Sequence, residues 1–321
     1  MVNFQHSTLA KADFQLSFKP IRIEDKKTIT GYTYQSNLQN CDFAFANMCS
    51  WRFLYDSEFA VSNRFLFIRF YVEEKGRKRL AYMIPVGDGD LRQAIDSIVH
   101  DSEISGHSLL LLGITRETKD QLNQLFPDKF IYIPERDYFD YIYLREDLIA
   151  LKGKKYQPKR NHINKFKNMY DYSYMPITRE NISECMKLEQ LWYDANKEKD
   201  NIEDLFHEKC SVKYVMEHFN ELDIQGGAIV VDGNIIAFTY GSPVNKNTFG
   251  IHVEKADIRY EGIFSVICHE FVQHVPQLYV YINREEDLGI PGLRQSKLSY
   301  HPFLILEKYA AIKRRQHFST S

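Results

Sequence analysis

The sequence lacks the motifs of several large enzyme classes. It contains no GxSxG nucleophile elbow, no GxxxxGK[ST] phosphate loop and no GxGxxG after a strand. These motifs build the sites of α/β-hydrolases, P-loop nucleotidases and dinucleotide-binding enzymes. Their absence argues against all three classes.

Cysteine is scarce and does not follow a metal-binding or disulfide pattern. The five cysteines are Cys41, Cys49, Cys185, Cys210 and Cys268. Their number is odd, their spacing is wide and no CxxC occurs. We therefore expect reduced, mostly structural thiols and neither a disulfide scaffold nor a zinc ribbon.

Long hydrophobic runs and a dominant charge are also missing. No uninterrupted apolar run reaches the roughly 18 residues that a membrane-spanning helix needs. Residues 1–14 do not place a basic segment before an apolar one, which argues against a signal peptide. The net charge of −2 creates no global field for nucleic acid or membrane. These features predict a soluble, cytoplasmic protein that does not act at a membrane.

The pattern of elements predicts two α/β domains. A chain of 321 residues, 44% of them hydrophobic, is long enough for two cores. In both halves, β-type segments alternate with helical ones, so we expect α/β folds with mixed sheets. The predicted boundaries are 1–151 and 152–321.

One strongly basic stretch, KGKKYQPKRNHINKFK at residues 152–167, contains seven Lys and Arg residues and no acid. Pro158 suits the first turn of a helix over residues 156–170, with Ile163, Phe166 and Tyr170 as its buried stripe. The functional interpretation is an anion site for the phosphates of a cofactor or an RNA. Its predicted members are Lys159, Arg160 and His162. The alternative is a solvated inter-domain helix.

A second charged stretch, YINREEDLGIPGLRQSKLSY, occupies residues 281–300. An apolar strand is followed by five consecutive polar residues, and glycine and proline then mark a tight loop. Ligands of α/β folds often bind at the ends of strands, although a solvated turn with its own salt bridges is the alternative. The candidate residues are Asn283, Arg284, Glu285, Glu286, Asp287, Arg294 and Lys297.

The segment between these stretches predicts a further anion site. From residue 226 to residue 282 the order is hairpin, strand, helix, strand. If the two strands diverge, the helix N-terminus near residues 259–262 points its N–H groups at the gap. Arg259 and Gly262 would then help a pyrophosphate approach. The pair His269 and His274 is five residues apart, roughly 140° around a helix, so we predict no metal site there.

This order of elements resembles the Gcn5-related N-acetyltransferase fold. More specifically, KRNHINKF and YINREEDLGIPGLRQSKLSYHP resemble an uncharacterised bacterial family related to the C-terminal domain of phosphatidylglycerol lysyltransferase, which is similar to Fem-type aminoacyl transferases. The resemblance implies two tandem acyl-CoA N-acyltransferase-like folds, the second active and the first supporting. Two departures matter. The acyl-CoA signature Gln/Arg-x-x-Gly-x-Gly/Ala is only partly met by RYEGIF, and the membrane-spanning half of the lysyltransferase is absent, so a lipid acceptor is not expected.

Two functions follow as hypotheses. The first is an acyl- or aminoacyl-transferase that uses acyl-CoA or aminoacyl-tRNA as co-substrate, without a permanently bound cofactor, and a small-molecule or peptide amine or hydroxyl as acceptor. Glu285, Glu286 or Asp287 would be the general base or would hold a substrate ammonium group. Arg284, Arg294 and Lys297 would bind phosphate or carboxylate. The second hypothesis is a non-catalytic module on the same fold that binds tRNA or a nucleotide.

Overall fold

The computed structural model of the protein describes residues 15–197 and 202–314. Residues 1–14, which were considered above for a signal peptide, lie outside the described residues. The strands are β1 Lys19–Pro20, β2 Glu58–Ser62, β3 Phe65–Glu74, β4 Arg77–Met83, β5 Val86–Gly87, β6 Leu110–Ile114, β7 Phe130–Pro134, β8 Asp140–Leu144, β9 Tyr172–Pro176, β10 Gln225–Val231, β11 Asn234–Asn245, β12 Thr248–Ala256, β13 Tyr281–Asn283, β14 Leu304–Leu306 and β15 Tyr309–Lys313.

The helices follow the same order. They are α1 Lys26–Thr33, α2 Phe45–Ser50, α3 Arg52–Tyr55, α4 Leu91–Ile104, α5 Arg116–Leu125, α6 Arg145–Ala150, α7 Gln157–Met169, α8 Ile182–Asn196, α9 Ile202–Glu217, α10 Ile263–His274 and α11 Pro291–Leu298. Within the described ranges, none of these helices is both long enough and apolar enough to span a bilayer.

The chain folds into two compact units. Among the described residues, unit 1 comprises residues 15–21, 55–135 and 308–314, and unit 2 comprises residues 22–54, 136–197 and 202–307. This division differs from the predicted boundary at residue 151, which lies inside unit 2. The reason is strand pairing: β8 joins β13 and β14 in one sheet, whereas β15 joins β6 and β7 in the other.

Each unit contains one mixed sheet, as the sequence predicts. The eight-stranded sheet of unit 1 has the order β1-β2-β3-β4-β6-β15-β7, with β5 on β3. The seven-stranded sheet of unit 2 has the order β14-β8-β13-β12-β11-β10-β9. Most neighbours are antiparallel, and β4–β6 and β12–β13 are the parallel pairs among the described strands.

The basic stretch forms the predicted helix. Pro158 lies in the first turn of α7, and Ile163 and Phe166 are its buried residues. These two side chains join a core cluster with Val266 and Ile267 of α10, against one face of the sheet. The polar residues of α7 are consequently left for other contacts.

The strands β12 and β13 diverge within unit 2. Their pairing runs from Thr248 opposite Tyr281 to Gly250 opposite Asn283. After that point β12 continues to the end of its range, whereas the chain leaves β13 as the acidic loop, by which we mean residues 283–287. Arg284 and Glu285 of this loop still contact β12, through Glu254 and His252.

Candidate functional site

Two adjoining cavities in unit 2 share Lys159 and His162 among their lining residues, and we call them the paired cavities. Their volumes are about 530 Å³ and about 290 Å³. The larger is also lined by Lys155, Pro158, Gly292, Gln295, Ser296, Ser299 and His301. The smaller is also lined by Ile258, Tyr260, Glu261, Gly262, Ile263, Phe264 and Ser265. Both cavities are therefore built largely from α7, α11 and the start of α10.

Lys159 is the most distinctive charge in the paired cavities. Its Nζ lies 3.8 Å from the ring centroid of Tyr300, which is a cation–π contact. Burial, reinforced by the positive charge of Arg284, lowers the pKa of Lys159 to about 8. An amine with this pKa is charged at neutral pH yet incompletely solvated, so it gains from an anionic partner.

The N-terminus of α10 borders the smaller cavity because Gly262 permits an unusual approach. Gly262 caps the helix with φ of 85°, a conformation that favours glycine. A Cβ at this position would lie 3.0 Å from the carbonyl oxygen of His162. Gly262 therefore lets α10 begin directly against α7. The positive end of the helix dipole faces the same cavity as Lys159.

Asp287 has its hydrogen-bonding capacity filled by protein groups. Its carboxylate accepts from Arg294 Nε and Nη2 at 2.8 and 2.7 Å, from Arg136 Nη1 at 2.8 Å, and from the Tyr141 hydroxyl at 2.6 Å. The Gly289 N–H donates a further bond at 3.0 Å. Burial alone would raise the pKa of Asp287, but these bonds, above all those from Arg294, hold it well below its ordinary value. Such a carboxylate is a weak base.

Two other residues of the candidate set brace the same loop. Lys297 is 7% exposed, and its Nζ donates to the carbonyl oxygens of Arg284 and of Glu286. Arg284 is 8% exposed and pairs through Nη2 with Glu254. Its Nε and Nη1 have no hydrogen-bond partner within the described ranges. Lys297 is thus structural, whereas the Arg284 guanidinium retains unused donors.

Asn283 and Glu286 are engaged by the segment before α2. Asn283 Nδ2 donates to the Gln39 carbonyl oxygen at 2.7 Å and to Asp140 Oδ2 at 2.8 Å. Glu286 Oε1 lies 3.1 Å from the Cys41 sulfur, which also lies 3.4 Å from Asp140 Oδ1. The single thiol proton can serve one of these carboxylates at a time.

Arg160 and Arg259 have structural partners. Arg160 Nη1 donates to the carbonyl oxygens of Leu151 and Gly153, at the end of α6. Arg259 is exposed and forms an ion pair with Asp257 at 2.5 Å. Of the residues that the sequence suggested, the described part of the chain brings Lys159, His162 and Gly262 to the cavities. The other candidates take part in hydrogen bonds or ion pairs around them, and Arg284 also keeps unused donors.

One constellation escaped the sequence analysis. Ser242 Oγ lies 2.7 Å from His252 Nε2, and His252 Nδ1 lies 2.7 Å from Glu285 Oε1. Asn47 Nδ2 donates to the same Glu285 oxygen at 2.7 Å. Only Glu285 had been considered, because the three residues belong to separate segments and no linear motif joins them.

Comparisons with known proteins agree with this architecture. Residues 34–312 match the sequence model of the family described as phosphatidylglycerol lysyltransferase, C-terminal. The structure of a conserved protein of unknown function from Bacteroides thetaiotaomicron is 46% identical, with a TM-score of 0.89, over 94% of this chain and 100% of that one. An uncharacterized protein from Mycoplasmoides gallisepticum is 23% identical over 53% of this chain, and the match spans about half of that relative, 54% of its length.

More distant structures share the fold. L-PGS from Bacillus licheniformis is 16% identical, with a TM-score of 0.63, over 92% of this chain and 93% of that one. FemX is 9% identical, with a TM-score of 0.61, over 92% of this chain and 97% of that one. The predicted resemblance to lysyltransferase C-terminal and Fem-type folds is thereby confirmed.

Proposed function

The chain belongs to the family of the phosphatidylglycerol lysyltransferase C-terminal domain, and from that premise we propose that it transfers an acyl or aminoacyl group from acyl-CoA or aminoacyl-tRNA to an amine or hydroxyl. The donor's phosphates bind in the paired cavities of unit 2. The observation that carries the proposal is Lys159, a half-buried ammonium group shared by two cavities. In this proposal unit 2 is the active unit and unit 1 supports it.

The chemistry of the cavity walls fits an anionic donor. The helix N-terminus at Gly262 favours negative charge, and Lys159 and His162 add side-chain donors beside it. Both donor types carry phosphates that are covalently linked to the activated acyl group, through the pantetheine arm in acyl-CoA and through the terminal ribose in aminoacyl-tRNA. Anchoring the phosphates holds the reacting carbon in position, and positioning alone can account for a large part of the acceleration of a transfer reaction.

The acceptor's proton requires a base, and the acidic loop offers two. Asp287 is saturated by Arg136, Arg294 and Tyr141. Glu285 and Glu286 therefore remain the candidates to receive a proton or to hold a substrate ammonium group. The acceptor is a small molecule or a peptide.

Thermal unfolding tests the donor site. A ligand that binds only the folded state raises the melting temperature. At a hundred times its dissociation constant it adds about 2.7 kcal/mol to the free energy of unfolding. We expect CoA, acetyl-CoA or bulk tRNA to raise the melting temperature of the wild-type protein, and Lys159→Met to reduce that shift strongly. The matched control is Lys152→Met, which removes an exposed lysine from the same basic stretch.

The outcomes separate the proposal from its rivals. A shift by CoA supports acyl-CoA, and a shift by tRNA supports aminoacyl-tRNA. Binding of either, followed by no transfer to any amine acceptor under single-turnover conditions, favours a non-catalytic binding module. An equal shift in the wild-type and Lys159→Met proteins would contradict the placement of the donor in the paired cavities.

A further inference from the structure

We propose that unit 1 binds an anion that carries several linked phosphate groups. The binding site is a cavity of about 1750 Å³, larger than either of the paired cavities, and we call it the basic cavity. Its lining residues all belong to unit 1. Eight of them are Lys or Arg, and two are Asp or Glu. A ligand of unit 1 goes beyond the proposed function, in which this unit only supports unit 2.

The register of the strands in unit 1 explains why the basic cavity forms. The hairpin of β3 and β4 is paired as far as Glu74 opposite Arg77. The pairing of β4 with β6 is confined to Tyr82 and Met83, because β6 begins only at Leu110. The first residues of β4 therefore extend beyond β6 and leave a notch at this end of the sheet. The residues before β6 and those at the end of β15 line the other side of the notch.

An aromatic side chain holds two of the cations at the cavity wall. The guanidinium carbon of Arg92 lies 4.8 Å from the ring centroid of Phe126, and the Nζ of Lys129 lies 4.3 Å from it. Arg92 Nη2 also donates to the carbonyl oxygen of Leu125. Because these contacts already restrict both side chains, less conformational entropy is lost when they bind an anion.

The ion pairs at the cavity leave part of its charge uncompensated. Four of the cations pair with acids, which are Lys78 with Asp56, Arg79 with Glu74, Lys129 with Asp96 and Lys313 with Glu103. The other four take part in no ion pair within the described ranges, and they are Lys75, Arg77, Arg92 and Arg314. Apart from Glu74, the acid of the lining is Asp128. A ligand in the cavity therefore meets an excess of positive charge.

The concave shape strengthens the effect of this local charge. The whole chain has a net charge of −2, so the positive excess at the cavity does not follow from the overall composition. A cleft lined by charges of one sign raises the local concentration of counter-ions. Repulsion among the unpaired cations is relieved when one anion contacts several of them. The basic cavity therefore favours an anion with several charges over an anion with one.

The types of lining residue indicate linked phosphates as the group that binds. Three of the four unpaired cations are arginines, and a guanidinium group forms bidentate hydrogen bonds with phosphate. Sites for single-stranded nucleic acid add exposed aromatic rings on which the bases stack. Among the described lining residues the one Phe, Tyr or Trp is Phe126, which is 6% exposed and covered by Arg92 and Lys129. The cavity thus suits a phosphate chain better than a row of bases.

Isothermal titration calorimetry with tripolyphosphate tests the site. We expect saturable binding to the wild-type protein that weakens as salt is added, and binding of inorganic phosphate that is at least about tenfold weaker. Arg77→Gln and Arg314→Gln should each raise the Kd for tripolyphosphate about tenfold, and the double variant should raise it further. The matched control is Arg64→Gln, which removes an exposed arginine of unit 1 that does not line the cavity and should leave the Kd unchanged.

Protection from chemical modification gives a second measurement that needs no variant. Phenylglyoxal modifies accessible arginine side chains, and Arg77 and Arg314 are both exposed. We expect tripolyphosphate to slow the modification of these two residues in the wild-type protein, as measured by peptide mapping. Arg64, whose side chain is 71% exposed, should be modified at the same rate with and without the anion. Equal rates at all three arginines with and without tripolyphosphate would overturn the proposal.

Other results would also overturn the proposal. They are the absence of tripolyphosphate binding to the folded wild-type protein, and an unchanged Kd in the Arg77→Gln/Arg314→Gln variant. Loss of binding in Lys159→Met alone would place the anion in the paired cavities instead. Binding of RNA but not of tripolyphosphate, abolished in the double variant, would assign the basic cavity to a nucleic acid.

The test is independent of the donor site in unit 2. Loss of tripolyphosphate binding in the double variant, with the effect of CoA on melting retained, would support two separate sites. Tripolyphosphate binding that depends on Arg77 and Arg314, without any effect of CoA or tRNA on melting, would support the basic cavity and contradict the proposed donors.

Discussion

The acidic loop and the paired cavities are both dense in charge, yet the fold uses their charges in opposite ways. Asp287 of the loop is neutralised by Arg136 and Arg294. The ammonium group of Lys159 contacts an aromatic ring and borders one of the paired cavities. A high density of charged residues in a sequence can therefore mark a structural brace as well as a binding site.

The difference has an electrostatic cause. A carboxylate as buried as Asp287 needs ion pairs and hydrogen bonds to remain ionised, and two arginines provide them. Lys159 is only partly desolvated, so solvent in the cavity stabilises its charge. A ligand can replace that solvent. Substitution of Asp287 should therefore affect stability, and substitution of Lys159 should affect binding.

The largest expected effect is at Asp287. Asp287→Asn removes the negative charge between Arg136 and Arg294, and we expect it to lower the free energy of unfolding by about 3–5 kcal/mol in urea denaturation. Asp88→Asn, which breaks an exposed pair with Arg64, should change stability little. If Asp287→Asn abolished transfer at full stability, the loop would be a catalytic rather than a bracing element.

Arg294 offers a sharper version of the same comparison. If Arg294 binds a phosphate or carboxylate, as its place in the sequence suggests, Arg294→Ala should abolish donor binding and leave the fold intact. Its bidentate contact with Asp287 and its bond to Asp137 predict a lower melting temperature as well. Because Arg136 still pairs with Asp287 in this variant, the loss should be smaller than for Asp287→Asn. An unchanged melting temperature together with a loss of donor affinity would assign Arg294 to the binding site.

The pH dependence of binding should distinguish Lys159 from the other cations. The pKa of Lys159 is lowered to about 8, so the free protein loses this charge as the pH rises through that value. We expect the affinity for an anionic donor to fall about tenfold between pH 7 and pH 9. Lys159→Arg, whose guanidinium stays protonated, should bind with little change over this range. An equal decline in both proteins would assign the titration to another group.

The smallest expected effect on stability is at Gly262. Gly262→Ala forces a left-handed conformation on alanine and presses its Cβ against the His162 carbonyl oxygen, which should cost about 1–2 kcal/mol. It should also weaken donor binding, because α10 must move away from α7. Gly31→Ala, within α1 and with open space around it, should be neutral or slightly stabilising. Equal effects of the two changes would remove Gly262 from the donor site.

Local chemistry explains which parts of the fold were predictable. Pro158 lies in the first turn of α7, and Ile163 and Phe166 form its buried face, both as expected. Asp232 and Gly233 form the turn between β10 and β11 with φ of 48° and 76°, as a tight hairpin requires. These features depend on residues close together in the chain.

The sequence by itself indicated two α/β folds with mixed sheets and the resemblance to the family, because periodicity, turns and the two charged motifs are local. Strand pairing decided which segments belong to each sheet. Only the tertiary structure decided which charged side chains are paired with partners inside the fold. Asp287 meets Arg136, and Ser242 meets His252 and Glu285, through strand pairing and a bulge that bring distant segments together. The chemistry of a side chain depends on such neighbours. The pairing of the strands determines which residues these neighbours are.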